Sequence, residues 1–327
     1  MRNKLSAAKE AAPCSAVMQN ALICIIFIEL RSFFFRIFRR VILFNFFSLN
    51  KTCRLGNKTH YFPLIKPCQN PRQLKQQKKE KDMAMIPQKT ALVVSAHSAD
   101  FVWRAGGAIA LHVEQGYQVH IVCLSYGERG ESAKLWRKGD MTEERVKASR
   151  HTEAQAAANV LGASIEFFDM GDYPLRADKE SLFRLADVFR RIQPHFVLTH
   201  SLADPYNYDH PLAANLAQEA RIVAQAEGYR PGEAIIGAPP VYCFEPHQPE
   251  QCGWKPDVLL DITSVWEKKY AAIQCMAGQE HLWEYYTRVA LQRGVQAKRN
   301  IGIASTKTII HGEGYQSLFP RVTENLS

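Results

Sequence analysis

At 327 residues the chain is long enough for one large α/β domain or two smaller ones, and its 46% hydrophobic content is ordinary for a soluble globular protein. The formal net charge of +9 invites a nucleic-acid reading, but residues 1–82 carry 16 Lys and Arg against 4 Asp and Glu, whereas residues 83–327 carry 25 against 28. The basic excess lies outside the part that reads as folded, which excludes nucleic acid as the partner.

Residues 21–47 are rich in Phe and Ile, yet Glu29, Arg31, Arg36, Arg39 and Arg40 interrupt them. No uncharged run reaches the roughly 18–20 residues a membrane span requires. A signal peptide fits poorly, because 20 residues precede the apolar core at 21–28 and no small-residue cleavage site follows it. A transit peptide, an interfacial basic helix and an upstream region that never folds are the alternatives. The Gln- and Lys-rich run at 73–81 has linker composition, and Met83 and Met85 stand just before the first strand. The expectation is a start at one of these methionines, with 1–82 disordered or absent and 83–327 a single catalytic domain.

From Thr90 onward, short β-branched runs alternate with longer amphipathic stretches. Strands are predicted at 90–96, 118–124, 164–168, 195–200, 241–245 and 257–262, and helices at 103–116, 142–161, 179–192, 211–227, 264–277 and 281–299. Thr142 followed by Glu143 and Glu144 reads as a helix N-cap with an acidic first turn, and Gly162 as the matching C-cap. The predicted fold is therefore α/β: a doubly wound, mostly parallel, Rossmann-like sheet with an α-rich C-terminal portion. Eight cysteines without a Cys-x-x-Cys pair point to reduced thiols and a cytoplasmic location.

Ligands of such sheets bind beyond the carboxyl ends of the strands. Three of the loops at that edge carry chemistry. His97 and Asp100 follow the first strand, Glu128 and Glu131 the second, and His200, Asp204, Tyr206, Asn207, Tyr208, Asp209 and His210 the fourth. Two imidazoles and a carboxylate at one edge can hold a metal with a position left open, and Asp204 or Asp209 could orient a ligand histidine. Read from the residues alone, His97 and His210 fit equally well as an ordinary strand-end histidine and a helix-start histidine. The glycines at 106–107 lack the G-x-G-x-x-G spacing of a dinucleotide loop.

The order Ala96-His97-Ser98-Ala99-Asp100, Gly106-Gly107, Gly127-Glu128 and Asp209-His210, continuing through residues 257–269, resembles the zinc-dependent PIG-L/LmbE-like deacetylases over about residues 88–300. Their opening motif reads Ala-His-Pro-Asp-Asp, in which the histidine and second aspartate bind zinc and the first aspartate is the general base. The resemblance implies one zinc ion held by His97, Asp100 and His210. Ala99 stands where the base would be, and an alanine cannot take a proton from water. The segment before His210 is also one residue longer than the family pattern and lacks its middle histidine.

A narrower resemblance accommodates both departures. The runs 95–107, 124–136 and 203–210 are similar to the 4-oxalomesaconate hydratases of bacterial gallate and protocatechuate catabolism, a hydro-lyase group. That resemblance implies addition of water to a carbon–carbon double bond. Because Ala99 cannot act, the base is expected from another loop, Glu131 first and Glu128 second, since both follow the second strand at the same edge as His97. Arg104, Arg129, Lys134, Arg137 and Tyr206 are the candidates for binding a small polycarboxylate substrate, and Tyr208 and His200 for proton donation. No membrane or nucleic-acid partner is implied, and a homo-oligomer is compatible. An N-acetyl amidohydrolase and a metal-stabilised binding protein are the competing readings.

Overall fold

The computed structural model describes residues 88–302, 305–320 and 322. The expectations for residues 1–82 lie outside them. The elements in chain order are β1 (Thr90–Ser95), α1 (Asp100–Glu114), β2 (Gln118–Cys123), α2 (Ala133–Trp136), α3 (Glu143–Leu161), β3 (Ser164–Phe167), α4 (Lys179–Ile192), β4 (Phe196–Thr199), α5 (Asp209–Gln225), β5 (Val241–Phe244), β6 (Val258–Asp261), α6 (Trp266–Gln274), α7 (Trp283–Asn300) and β7 (Gly312–Ser317).

These strands form one sheet in the order β3-β2-β1-β4-β5-β7-β6. β1 pairs in parallel with β2, with Val93 opposite Ile121, and with β4, with Leu92 opposite Val197. Strand order reverses between β2-β1 and β1-β4, and at such a switch point the loops leaving β1 and β4 diverge and open a cleft. The apolar run of β1 is continuous because both of its faces are covered. Ala91 and Val93 pack with α1, α3 and α6, while Leu92 and Val94 pack with α4 and α5 on the other face. Each such fully buried aliphatic side chain contributes about 1.5–3 kcal/mol.

The predicted caps are present: Thr142 accepts from the Arg145 N–H, and Gly162 ends α3 with φ 79°. Three features differ from the sequence expectation. α1 starts at Asp100 rather than 103, so that β1 passes into the helix through only the residues around His97. The helix expected at 264–277 ends at Gln274, and a 3-10 segment, Ala277–Leu282, with non-helical dihedrals at Gln279 leads into α7. β7 was not anticipated, and it lies antiparallel to both β5 and β6.

β7 begins Gly-Glu-Gly and carries no apolar alternation. Its glycines serve close approach, since a Cβ on Gly312 would meet the Arg293 backbone at 2.8 Å. Glu313 then reaches α1, accepting from the Gly107 and Ala108 N–H groups at 2.7 and 2.8 Å and from Lys269 Nζ at 2.6 Å. A Cβ on Gly107 would meet Ile262 at 2.7 Å and this carboxylate at 2.8 Å. Gly107→Ala is expected to destabilise the protein by about 1–3 kcal/mol in urea unfolding, and unchanged stability would contradict the contact.

Candidate active site

The metal-ligand candidates sit where strands hand over to helices. His97 follows β1, Asp100 opens α1, and Asp209 and His210 open α5, so their carboxylates lie at the positive ends of two helix dipoles. Glu131 comes from the loop after β2. One ligand atom from each of His97, Asp100, Glu131 and His210 lies within 4.8 Å of the others.

Each histidine is oriented by an aspartate. His97 Nε2 donates to Asp209 Oδ2 at 3.2 Å, which turns Nδ1 toward Asp100 Oδ2 at 3.1 Å and Glu131 Oε1 at 3.2 Å. His210 Nδ1 donates to Asp204 Oδ2 at 2.8 Å. Its Nε2 is buried without a hydrogen-bond partner and stands 3.6 Å from Asp100 Oδ1. A buried imidazole nitrogen without a partner, beside two carboxylates and a second imidazole nitrogen, is a donor set that fits a divalent cation. Histidines held by carboxylates in this way are the usual arrangement around bound metals.

The charges agree. Burial opposes protonation of His97, but Glu131, Asp100 and Asp209 outweigh it and raise its pKa well above the ordinary value. Burial likewise opposes ionisation of Glu131, and His97 reverses it, lowering its pKa. His200 behaves differently: burial, with His210 beside it, lowers its pKa to about 3. Its Nε2 accepts the Ala96 N–H at 2.9 Å, and its ring stacks on that of His210 with centroids 4.2 Å apart. It is a neutral packing partner of a ligand candidate, and that nitrogen has no proton to give.

The remaining predicted residues divide by place. Arg104 is buried, with Nε 3.4 Å from Asp100 Oδ1 and Nη1 donating to the Glu245 carbonyl. Arg129 Nη1 donates to the Asp172 carbonyl and Nη2 pairs with Glu143, while Lys134 pairs with Glu280 and Arg137 is exposed. Glu128 is fully buried outside the cluster, with neither oxygen hydrogen-bonded and Lys147 Nζ 3.9 Å away. Tyr206 and Tyr208 are 59% and 82% exposed.

Three neighbours of the cluster escaped the sequence reading. Asp172 and Tyr173 lie in the β3–α4 connection, where Gly171 and Pro174 give the composition of a turn and no catalytic motif. Asp209 accepts the Tyr173 and Leu175 N–H groups, and Tyr173 Oη accepts from Asn207 Nδ2 at 3.0 Å. His247 follows β5, stacks on Tyr285 at 4.3 Å and has its pKa lowered by burial and by Arg104, while Asp204 and Glu131 act in the opposite direction. The rule that selected the loops after β1, β2 and β4 applies equally to the loop after β5.

A model of the GlcNAc-PI de-N-acetylase (PIG-L) family matches residues 92–221. The chain is also 80% identical over 241 residues to a 4-oxalmesaconate hydratase of Pseudomonas putida KT2440, a match covering 74% of this chain and 93% of that one. The chain belongs to the PIG-L family. Among solved structures, this PIG-L protein is similar to the 4-carboxy-2-hydroxymuconate hydratase from the same Pseudomonas strain, with 79% identity, a TM-score of 0.72, and coverage of 73% of this chain and 100% of that one. It shares its fold with the N,N'-diacetylchitobiose deacetylase of Pyrococcus horikoshii at 21% identity and a TM-score of 0.57, over 78% of this chain and 95% of the other.

Asp209 offers a pH test. Burial pushes its carboxyl up, but the bonds from His97, Tyr173 and Leu175 outweigh this and lower its pKa from 3.8 to about 2. Between these values the folded state binds fewer protons than the unfolded chain, so the stabilisation is complete above the ordinary value and is lost as pH falls through about 2. In metal-free protein, Asp209→Asn is expected to cost about 1–2 kcal/mol at neutral pH, with the gap to the unmodified protein narrowing below about pH 4. A gap independent of pH in urea titrations would refute this linkage.

Proposed function

We propose that this chain is a hydro-lyase that adds water to the carbon–carbon double bond of 4-oxalomesaconate, giving 4-carboxy-4-hydroxy-2-oxoadipate. The observation that carries the reading is the replacement of one carboxylate by another. Ala99 is buried at the start of α1 with no proton-accepting group, and Glu131 enters the same cluster from the loop after β2. The names of the two Pseudomonas relatives fit one substrate, because 4-oxalomesaconate and 4-carboxy-2-hydroxymuconate are the keto and enol forms of a single tricarboxylate.

His97, Asp100 and His210 are the residues proposed to hold a zinc ion, which when bound would act as a Lewis acid toward an oxygen of the reacting pair. Glu131, oriented by its contact with His97, takes one proton from water. The water oxygen bonds to the alkene carbon that carries no hydrogen, and the electron pair moves to the adjacent =CH– carbon, where the terminal carboxylate conjugated to it spreads the charge. A proton then bonds to that carbon.

We assign that proton to His247, an imidazole at this edge whose ring nitrogens make no hydrogen bond among the described residues. It acts in its cationic form, which burial and Arg104 oppose, Asp204 and Glu131 favour, and a bound tricarboxylate would favour further. Arg104, buried and paired with Asp100 inside the cluster, is the cation proposed to offset substrate charge, whereas Arg129 and Lys134 pair with Glu143 and Glu280 outside it. No helix of the described residues is long and apolar enough to cross a membrane. A cytoplasmic enzyme of small-molecule catabolism completes the proposal.

Purified protein is expected to remove the conjugated absorbance of its substrate, and chelation is expected to stop it. Acetate release from an N-acetylglucosamine derivative, with no hydration, would reverse the assignment. Glu131→Gln is expected to lower kcat by about 100-fold or more with metal content unchanged, the range of a lost general base. His247→Asn is expected to lower kcat by a smaller factor, about tenfold or more, and turnover equal to that of the unmodified enzyme would remove His247 from the mechanism.

A further inference from the structure

Glu131 is useful as a base only if its loop holds the carboxylate in place, and that loop has no secondary structure between β2 and α2. What fixes it is a closed circuit of hydrogen bonds. His97 Nδ1 meets Glu131 Oε1, and His97 Nε2 donates to Asp209. Asp209 accepts the Tyr173 N–H at 3.0 Å and the Leu175 N–H at 2.9 Å, which immobilises the segment beginning at Asp172. Asp172 Oδ1 and Oδ2 in turn accept the Arg129 and Gly130 N–H groups, each at 2.8 Å, and the next residue is Glu131.

Asp172 is fully buried, and it spends both carboxylate oxygens on consecutive backbone amides of a loop 43 and 42 residues away in sequence. Charge-assisted bonds of this kind are the strong ones, and two of them to adjacent amides fix both the position and the direction of a peptide. The Tyr173 ring packs against the same peptide, since a Cβ on Gly130 would lie 2.1 Å from that ring. Ser132 Oγ and the Glu131 N–H both bond the Gly127 carbonyl, so the loop is closed on itself behind Glu131.

We propose that Asp172 is a positioning residue for the hydration reaction: by gripping the Arg129 and Gly130 amides it sets the angle at which the Glu131 carboxylate meets the reacting water. The proposal rests on the reading of Glu131 as the base. The Asp172 carboxylate bonds the Arg129 and Gly130 amides, and among the described residues no hydrogen bond or ion pair joins it to His97, Asp100, Glu131 or His210. Its contribution is to geometry alone, and reactions that depend on a base held to a fraction of an ångström lose rate steeply when that geometry loosens.

Asp172→Asn keeps the shape but replaces one acceptor by an NH2 group that opposes a backbone N–H. Expected are a fall in kcat of about tenfold or more, a KM within about twofold, and one metal per chain, as in the unmodified enzyme. Amide exchange is expected to be slow at residues 129–130 in unmodified protein and fast in the variant. A purely structural role would lower thermal stability while leaving kcat per metal-loaded enzyme unchanged, and that result overturns the proposal. Loss of metal in proportion to activity overturns it as well. If the variant does not fold, exchange in the unmodified protein decides, since unprotected amides at 129–130 would mean that no grip exists. Failure of the underlying reading is seen separately, as normal turnover by Glu131→Gln.

Discussion

The site depends on one carboxylate that accepts from three directions. Asp209 binds the ring of His97 and the backbone of Tyr173 and Leu175 while itself opening α5. These groups come from β1, the β3–α4 connection and α5, on both sides of the switch point in strand order. The sheet brings them to one edge, but only approximately, because a loop of several residues leaves each strand with wide freedom. Closing that freedom costs about 1–2 kcal/mol per ordered residue, and the multiple bonds to a buried anion help to offset it.

Concentrating Asp100, Glu131, Asp204 and Asp209 around two imidazoles creates an electrostatic problem that is also the basis of the chemistry. Without a cation, the cluster compensates by holding a proton on His97. A divalent ion would remove the need for that proton and would supply a partner to His210 Nε2. The geometry groups His97, Asp100 and His210, the donors that the family resemblance implies, with Glu131 as a fourth member. Where this chain departs from the deacetylase motif, at Ala99, an apolar side chain is packed in the core, and the carboxylate proposed as base, Glu131, comes from a different loop.

Much of this was legible beforehand. The alternation of apolar runs and amphipathic helices determined the parallel core of the sheet, and the rule that ligands gather at strand carboxyl ends brought His97, Asp100, Glu131 and His210 together. What could not be read was whatever depends on tertiary contact. β7 is glycine-rich because it threads past α7 and α1, and close approach leaves no hydropathy pattern. His200 was read as a proton donor because it ends β4, but an imidazole beneath a backbone N–H and stacked on a ligand candidate has no sequence signature. Arg129 and Lys134 looked like substrate cations because they lie in the right loop, and the carboxylates that claim them come from α3 and from the segment before α7.

Gly130 has a further meaning. Its backbone is not in the left-handed region, so its lack of a side chain is a matter of space: the Tyr173 ring occupies the volume that a Cβ would fill. Positions 130 and 173 therefore share a single volume, and a side chain at 130 requires a smaller one at 173. A lineage that enlarged one would have to shrink the other, and trimming the ring would open a pocket floored by bare peptide beside His97, whose centroid lies 6.0 Å from that of Tyr173. The space beside His97 is thus held by a side chain at position 173 and by the lack of one at position 130.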